Sequence, residues 1–310
     1  MKPTVSDLLS AGRLQEAEWL IRSGHPSPLT LVDLAHQLGT SLDPKSFFVS
    51  PGFYAPLPSW SAARSLCGHA YEASSVLDRY RNIANQSLCS QQPQIFLSSY
   101  AIRQLAALHH AWLSLGQPSV LRVLDFGGAL GNHFYSLSPH WHWSSLQWVV
   151  CETDSVATVG QSEYEGRYGV HRICFNSDPL TPLQGGIDVV FASCSLQYLE
   201  DWVSMLHQFR EAPWLLVDRV PLIDYPTDII DIQVVPASYT DTRYPGWKFS
   251  SSKWFSCFQD LGYSLVWHWF VPEDHWSILD LETGSFRWHA DNDHGFLFRS
   301  NSCTTQPIIF

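Results

Sequence analysis

The sequence has few charged residues and no run of basic ones. Asp, Glu, Lys and Arg make up 15% of its 310 residues, and the formal net charge is −11. Because a surface that follows nucleic-acid phosphates needs a basic excess, we expect no nucleic-acid partner. No apolar run approaches the ~18–20 residues of a membrane span, and the N-terminus lacks the apolar core of a signal peptide. We therefore expect a soluble, cytoplasmic protein.

The cysteines lack the spacing that is typical of disulfide frameworks and zinc sites. All seven are scattered, with no CxxC pair, which favours buried, reduced thiols. The segment WHADNDHG contains four side chains of the kind that bind metals (His289, Asp291, Asp293, His294). The segment is more typical of a polar turn before the last strand, so we expect no metal site.

Helical periodicity dominates the first third of the chain. Two short amphipathic patterns predict an N-terminal helical extension over residues 1–50. Residues 41–60 are rich in proline and aromatic residues, which indicates a packed loop or linker. Helical patterns then continue to Gly116, and the clearest, SSYAIRQLAALHHAWLSLG, has Ser98 or Ser99 as its N-cap. We predict a helical cap or linker over residues 51–117.

After Pro118, strand-like runs alternate with helical segments. Short runs rich in Val, Leu and Ile, separated by stretches long enough for crossover helices, predict a parallel sheet with helices on both faces. The runs are SVLRVLDF, SSLQWVVCE, GVHRICF, GIDVVFAS and PWLLVDRV, followed later by YSLVWHWFV and HGFLFRS. Residues 118–310 are thus predicted to form one α/β domain. An insertion over residues 220–249 carries its own strand-like run, DIIDIQVV.

The first of these strands runs into a glycine-rich turn, DFGGALG. Backbone N–H groups in such turns approach ligands closely, so we assign Asp125, Phe126, Gly127, Gly128 and Gly131 to a nucleoside cofactor site. In the dinucleotide fingerprint G-x-G-x-x-G, the first glycine would fall where Phe126 stands, and Asp125 would repel a pyrophosphate. S-adenosylmethionine (SAM), which is positively charged and has no phosphate, suits Asp125 better. A purely structural turn is the alternative.

Polar residues at the following strand ends extend this site. Glu152 lies roughly 20 residues past the last glycine, where an acid that binds ribose hydroxyls is expected, and Thr153 adjoins it. Asp178 follows the third strand and suits the exocyclic amine of adenine. Ser193 and Ser195 follow the fourth. We assign all five to the cofactor, since open α/β sheets bind ligands at this edge.

Two residues at the same edge are candidates for acid–base catalysis. His133 comes just after the turn and Asp218 lies at the tip of the fifth strand, and either could serve as the base for an alcohol acceptor. Arg219 could pair with Asp218 or bind an acidic substrate. Helix packing for His133 and a salt bridge for Asp218 are the structural alternatives.

The insertion contains a cluster of aromatic and basic residues. Tyr and Trp faces suit sugar or aromatic rings, and Arg suits carboxylates or phosphates. We therefore predict that the substrate is bound by Tyr239, Arg243, Tyr244 and Trp247. A folded flap filled by these aromatic residues is the alternative.

These motifs together resemble class I SAM-dependent methyltransferases. The turn, Glu152 and ASCSLQYLED carry this resemblance, and PSWSAARSLCGHAYEASSVLDRY, LLVDRVPL and RYPGWKFS are similar to a methyltransferase family associated with bacterial surface-polysaccharide gene clusters. The usual class I turn has glycine where Ala129 stands. The resemblance implies a Rossmann-like, seven-stranded, mostly parallel sheet whose last two strands form an antiparallel edge.

The resemblance also implies an activity. We expect a SAM-dependent methyltransferase whose acceptor is a small-molecule or glycan-linked compound, with a hydroxyl group as the methylated position. N-methylation and a non-catalytic scaffold on the same fold remain alternatives. An NAD-dependent oxidoreductase is disfavoured by Asp125 and Phe126.

Overall fold

Two β-sheets and their covering helices form the part of the chain that the computed structural model describes, which is residues 52–67, 73–89, 97–235, 240, 242–274, 276–280, 286–290 and 292–302. In chain order the elements are β1 (Gly52–Ala55), α1 (Trp60–Cys67), α2 (Ser74–Cys89), α3 (Ser99–Ser114), β2 (Val120–Phe126), α4 (Asn132–Leu137), β3 (Ser145–Cys151), α5 (Asp154–Val159), β4 (Gly166–Tyr168), β5 (His171–Asn176), α6 (Leu180–Gln184), β6 (Val189–Ser193), α7 (Trp202–Phe209), β7 (Trp214–Val220), β8 (Leu222–Ile223), β9 (Ile229–Val234), β10 (Arg243–Ser250), α8 (Ser251–Asp260), β11 (Tyr263–Val271), β12 (Trp276–Asp280), β13 (Phe286–Ala290) and β14 (Asp293–Ser300). The helical extension predicted over residues 1–50 lies outside the described residues.

The larger sheet has the strand order β11-β14-β7-β6-β2-β3-β5-β4. Strands β7, β6, β2, β3 and β5 pair in parallel, while β14 is antiparallel to both β7 and β11. The predicted α/β class, the mostly parallel sheet and its antiparallel last strands are therefore confirmed. The short β4, antiparallel to β5, adds one strand that was not predicted.

Alternating residues of the strands pack into two cores on opposite faces of this sheet. Leu121 and Val123 of β2 pack in one core with helices α2, α3 and α4. Leu124 faces the other core, with Leu206 of α7 and Phe258 of α8. Because side chains alternate between faces along a strand, Asp125 shares the first face with Val123. Helices cover both faces, as predicted.

Helix α3 begins and ends where its sequence indicates. The Ser98 hydroxyl accepts a hydrogen bond from the backbone N–H of Ala101 at 3.2 Å, which satisfies one of the unpaired donors of the first turn. Gly116 follows the helix with φ +78°, a conformation that favours glycine. No helix of the described residues is long and apolar enough to cross a membrane.

A second sheet, in the order β13-β12-β1-β9-β10-β8, was not predicted as a unit. The run DIIDIQVV contains β9, and β10 pairs with it antiparallel. The segment expected to be a proline-rich loop contributes β1, which pairs in parallel with β12 and antiparallel with β9. Strands β12 and β13 form a hairpin within the last third of the chain. Asp293, expected in a polar turn, lies instead at the start of β14, and His294 lies in the same strand, as HGFLFRS predicted.

This second sheet is attached to the carboxyl ends of the parallel strands. Tyr198 lies in the segment after β6, and its hydroxyl donates to Oε1 of Gln233 on β9 at 2.6 Å. The indole N–H of Trp276 on β12 donates to Oδ1 of Asp293 at 2.7 Å. The second sheet therefore covers the edge at which ligands bind in open α/β sheets.

Candidate functional site

The glycine turn after β2 can hold only very small residues. Gly127 and Gly131 have φ values of +76° and +89°, and Ala129 has +53°. A Cβ placed on Gly128 would lie 2.4 Å from Oδ2 of Asp125. The turn therefore packs closely against Asp125 and Ser195, and its role as a cofactor loop remains a prediction.

Asp125 lies beneath this turn and is fully buried, with 0% exposure. The indole N–H of Trp148 donates to its Oδ2 at 3.0 Å. Nδ1 of His133 lies 3.1 Å from each of its two oxygens. The carboxylate is thus held in place by two ring nitrogens, and the structure brings two predicted site residues together.

Glu152, just after β3, links this strand end to the turn. Its Oε1 accepts a hydrogen bond from the N–H of Ala129 and its Oε2 one from the N–H of Thr153, both at 3.0 Å. Burial raises the pKa of Glu152, and these two backbone donors oppose the rise. Because each carboxylate oxygen can accept a further hydrogen bond, Glu152 can still bind a pair of hydroxyl groups.

Two of the predicted cofactor residues use their side chains elsewhere. Asp178 is exposed, and its carboxylate accepts hydrogen bonds at 2.7–3.3 Å from Leu180 and Thr181 at the start of α6. The Thr181 hydroxyl and these backbone donors lower the pKa of Asp178. Phe126 packs edge-on against Phe209 at 5.3 Å, in the core opposite to Asp125. Their roles at the cofactor remain predictions.

Ser193 and Ser195, at the end of β6, have buried hydroxyls without a hydrogen-bond partner among the described residues. Ser195 packs directly against the turn, since a Cβ on Gly127 would lie 2.6 Å from its own Cβ. Buried polar atoms are nearly always paired with protein, water or a ligand. These hydroxyls therefore mark a place where a ligand can supply the partners.

Asp218 is fully buried, and both of its oxygens are engaged. Gln104 of α3 donates to Oδ2 at 2.8 Å, and the indole N–H of Trp269 of β11 donates to Oδ1 at 3.0 Å. Burial raises its pKa, and these two donors oppose the rise. The geometry favours a structural link between α3, β7 and β11, and the catalytic role of Asp218 remains a prediction.

Arg219 pairs with Asp274 and not with Asp218. Its Nε and Nη2 donate to the two oxygens of Asp274 at 2.6 and 3.0 Å. The guanidinium also lies 5.3 Å from the ring centre of Tyr100. Because the Arg219 guanidinium already donates to the Asp274 carboxylate, an acidic substrate would have to compete with Asp274 for these donors.

Three neighbouring strand ends carry residues with left-handed backbone. Ala129 after β2, Cys194 after β6 and Arg219 in β7 have φ values of +53°, +52° and +59°. Non-glycine residues adopt this region at a cost, and such residues cluster at ligand-binding sites. The strain is concentrated where β2, β6 and β7 end side by side.

The predicted substrate cluster in the insertion is largely packed. Tyr244 is 8% exposed and accepts a hydrogen bond from Thr242 at 2.7 Å. Trp247 stacks on Trp60 of α1 at 5.4 Å. These contacts favour the folded flap. Arg243 lies in β10, Tyr239 lies outside the described residues, and substrate binding by the cluster remains a prediction.

The sequence reasoning missed a buried ion pair in the second sheet. Nζ of Lys248 lies 2.6 Å from Oδ2 of Asp231, and their side chains are 4% and 1% exposed. The ammonium also lies 3.9 Å from the ring centre of Phe53. Nearby, burial raises the pKa of Asp293 to about 6. The sequence indicated this pair only through a charged residue inside each of two apolar strand runs, DIIDIQVV and RYPGWKFS.

This chain is similar to solved structures at low sequence identity. No family model and no curated protein matches it. Its solved-structure neighbours include 1,6-didemethyltoxoflavin-N1-methyltransferase from Burkholderia thailandensis, with 16% identity, a TM-score of 0.41, and coverage of 80% of this chain and 95% of that one. Magnesium protoporphyrin IX methyltransferase from Synechocystis PCC 6803 has 15% identity, a TM-score of 0.41, and coverage of 79% and 99%. An S-adenosylmethionine-dependent methyltransferase from Clostridium acetobutylicum has 8% identity, a TM-score of 0.42, and coverage of 72% and 99%.

Proposed function

We propose that this chain is a SAM-dependent methyltransferase that acts on a hydroxyl group of a small-molecule or glycan-linked acceptor. The observation that carries the proposal is the position of Glu152. Its carboxylate is fixed by the turn and by the end of β3 through two backbone hydrogen bonds of 3.0 Å. Each oxygen keeps acceptor capacity for the two hydroxyls of a ribose.

The chemistry of the other side chains also fits SAM. Asp125 places a buried carboxylate against the turn, which suits a positively charged ligand and opposes a pyrophosphate. The hydroxyls of Ser193 and Ser195 can pair with a ligand at the end of β6. Bound SAM supplies a methyl group that is already activated by its positive sulfur. The protein then mainly has to align an acceptor with that group.

The acceptor side of the site is formed by the second sheet and the ends of β6 and β7. Tyr198 and Gln233 join the two sheets at this edge. The likeness of RYPGWKFS to the family linked with polysaccharide gene clusters supports a glycan-linked acceptor, and a cytoplasmic location belongs to the same proposal. We expect the acceptor to reach the cofactor at the carboxyl ends of β6 and β7.

Isothermal calorimetry tests the cofactor assignment. We expect SAM and S-adenosylhomocysteine to bind, and NAD not to bind. Glu152→Ala removes the acceptor of the ribose hydroxyls, and each hydrogen bond to a charged group is worth ~1.5–3 kcal/mol. Asp125→Ala removes the buried negative charge beneath the turn. Each change is expected to weaken SAM binding at least tenfold, about 1.4 kcal/mol. Glu163→Ala, which removes an exposed carboxylate paired with Arg81, is the matched control.

NAD binding without SAM binding would refute the proposal, as would unchanged SAM affinity in both site variants. Incubation of the protein with labelled SAM and cell extract then identifies the acceptor. A labelled hydroxyl compound is the expected product, and a labelled amine would replace O-methylation by N-methylation.

A further inference from the structure

His133 and Asp125 form a close pair beneath the cofactor turn. Nδ1 of His133 lies 3.1 Å from both carboxylate oxygens of Asp125, whose side chain is fully buried. The imidazole packs against the ring of Phe191 at 4.6 Å. His133 lies in the first turn of α4, so its ring orientation is set by a helix, a core phenylalanine and a carboxylate.

This pairing determines which ring nitrogen carries the proton in the neutral imidazole. An ionised carboxylate can only accept hydrogen bonds, so Nδ1 must carry the hydrogen that points at Asp125. Nε2 then presents a lone pair. Among the described residues Nε2 has no hydrogen-bond partner, and the His133 side chain is 23% exposed. The ring therefore has a buried, fixed end and an open, proton-accepting end.

Asp218 is the competing base on the same face of the sheet, but its acceptor atoms are buried and already hydrogen-bonded. Its side chain is 0% exposed, and its two oxygens accept hydrogen bonds from Gln104 and Trp269. A base must come within hydrogen-bond reach of the proton that it removes. Of these two candidates, only His133 has an open acceptor atom.

We propose that His133 is the catalytic base for the acceptor hydroxyl and that Asp125 is the positioning residue that holds its Nε2 unprotonated. The inference rests on the proposed function. The hydroxyl proton passes to Nε2, and the resulting imidazolium is stabilised by the Asp125 carboxylate. The acceptor oxygen forms a bond to the methyl carbon as the carbon–sulfur bond breaks and its electron pair stays on sulfur, giving S-adenosylhomocysteine.

Asp125 thereby serves both the cofactor turn and the base. Its carboxylate packs against Gly128 on one side and bonds to His133 on the other. Arrangements in which a carboxylate sets the tautomer of a histidine are known to orient bases in hydrolases. Here the Asp125 carboxylate contacts both the turn and His133, and it would therefore fix the position of the base relative to the turn.

Nitrogen NMR of the histidine-labelled protein tests the tautomer without any acceptor. We expect the neutral imidazole of His133 in the wild-type protein to carry its proton on Nδ1 and not on Nε2. Asp125→Asn should shift the proton to Nε2, because the asparagine amide can donate to Nδ1. Trp148→Phe, which removes the other ring donor to Asp125, should leave the tautomer unchanged. A neutral imidazole protonated on Nε2 in the wild-type protein, or an unchanged tautomer in Asp125→Asn, would overturn the positioning role.

Methyl transfer to the acceptor found with labelled SAM tests the base. General bases contribute typically 10²–10⁴-fold to rate, so His133→Asn should lose at least 100-fold in turnover while SAM affinity changes less than threefold. Full turnover in His133→Asn, with a loss confined to Asp218→Asn, would assign the base to Asp218 and refute the proposal. An absence of SAM binding to the wild-type protein refutes the proposed function instead, and the NMR result still decides the pairing.

Discussion

Gly128 offers a direct test of the contact between the turn and the buried carboxylate. A Cβ on Gly128 would lie 2.4, 2.5 and 2.8 Å from Oδ2, Cγ and Oδ1 of Asp125. The backbone of Gly128 is not in the left-handed region, so Gly128→Ala adds steric overlap without backbone strain. Asp125 has little room to retreat because Trp148 and His133 hold it from the other side.

The expected cost of Gly128→Ala has two parts. Overpacking a well-packed core by one carbon costs ~1–3 kcal/mol. Displacement of the carboxylate weakens at least one hydrogen bond to a charged group, which is worth ~1.5–3 kcal/mol. We therefore expect a loss of roughly 3–5 kcal/mol in the free energy of unfolding, which corresponds to a drop in Tm on the order of 10 °C for a domain of this size.

Thermal unfolding followed by circular dichroism measures this loss. Gly166→Ala is the matched control, since a Cβ there meets nothing within 4 Å, and its expected change is within about 0.5 kcal/mol. The same Gly128→Ala change in an Asp125→Ala background should cost much less, because the overlapping carboxylate is gone. Equal costs at Gly128 and Gly166, or an undiminished cost in the double variant, would refute the contact.

Two further predictions concern buried charges of the second sheet and its neighbour β14. Lys248→Met leaves the Asp231 carboxylate buried without its cation, which should cost ~3–5 kcal/mol in urea unfolding, while a double change with Asp231→Leu should recover most of that loss. A double variant as unstable as the single one would contradict this account. Burial raises the pKa of the Asp293 carboxyl from 3.8 to about 6, so the folded protein favours the protonated form. The contribution of this group to the free energy of unfolding is therefore present below about pH 4 and is lost as the pH rises through about 6. Asp293→Asn keeps an acceptor for Trp276, so at about pH 4 it should be as stable as the wild-type protein. Above pH ~6 it should be more stable than the wild-type protein, by up to about 3 kcal/mol. A difference in stability that does not change with pH would refute the assignment.

Local signals in the sequence predicted the elements whose structure depends on local interactions. Ser98 caps α3 because its hydroxyl lies three residues from the Ala101 N–H, a relation visible in the sequence. The Val/Leu/Ile runs became β2, β3, β6 and β7 because strands covered on both faces need apolar residues at most positions. Glu152 reached the turn because the end of β3 lies beside the end of β2 in a parallel sheet.

Partners that lie far apart along the chain could not be predicted in this way. Asp218 bonds to Gln104, which lies 114 residues before it, and to Trp269, which lies 51 residues after it. The short β1 pairs with β9 and β12, which lie far from it along the chain, so its own four residues do not show which strands it joins. The acceptor side of the site depends on such pairings, so sequence patterns located the cofactor turn better than the surface that faces it.

The placement of β14 has a consequence for the order in which the protein can form during synthesis. This strand lies between β7 and β11, and β12 pairs with β1. Both sheets are therefore completed only after the ribosome has released residues near position 300. Until then β7 and β1 each have an open edge, which is a pairing surface for other chains. Long-range pairing of this kind slows folding, so these two edges stay open to pairing with other chains for longer than the local elements take to form.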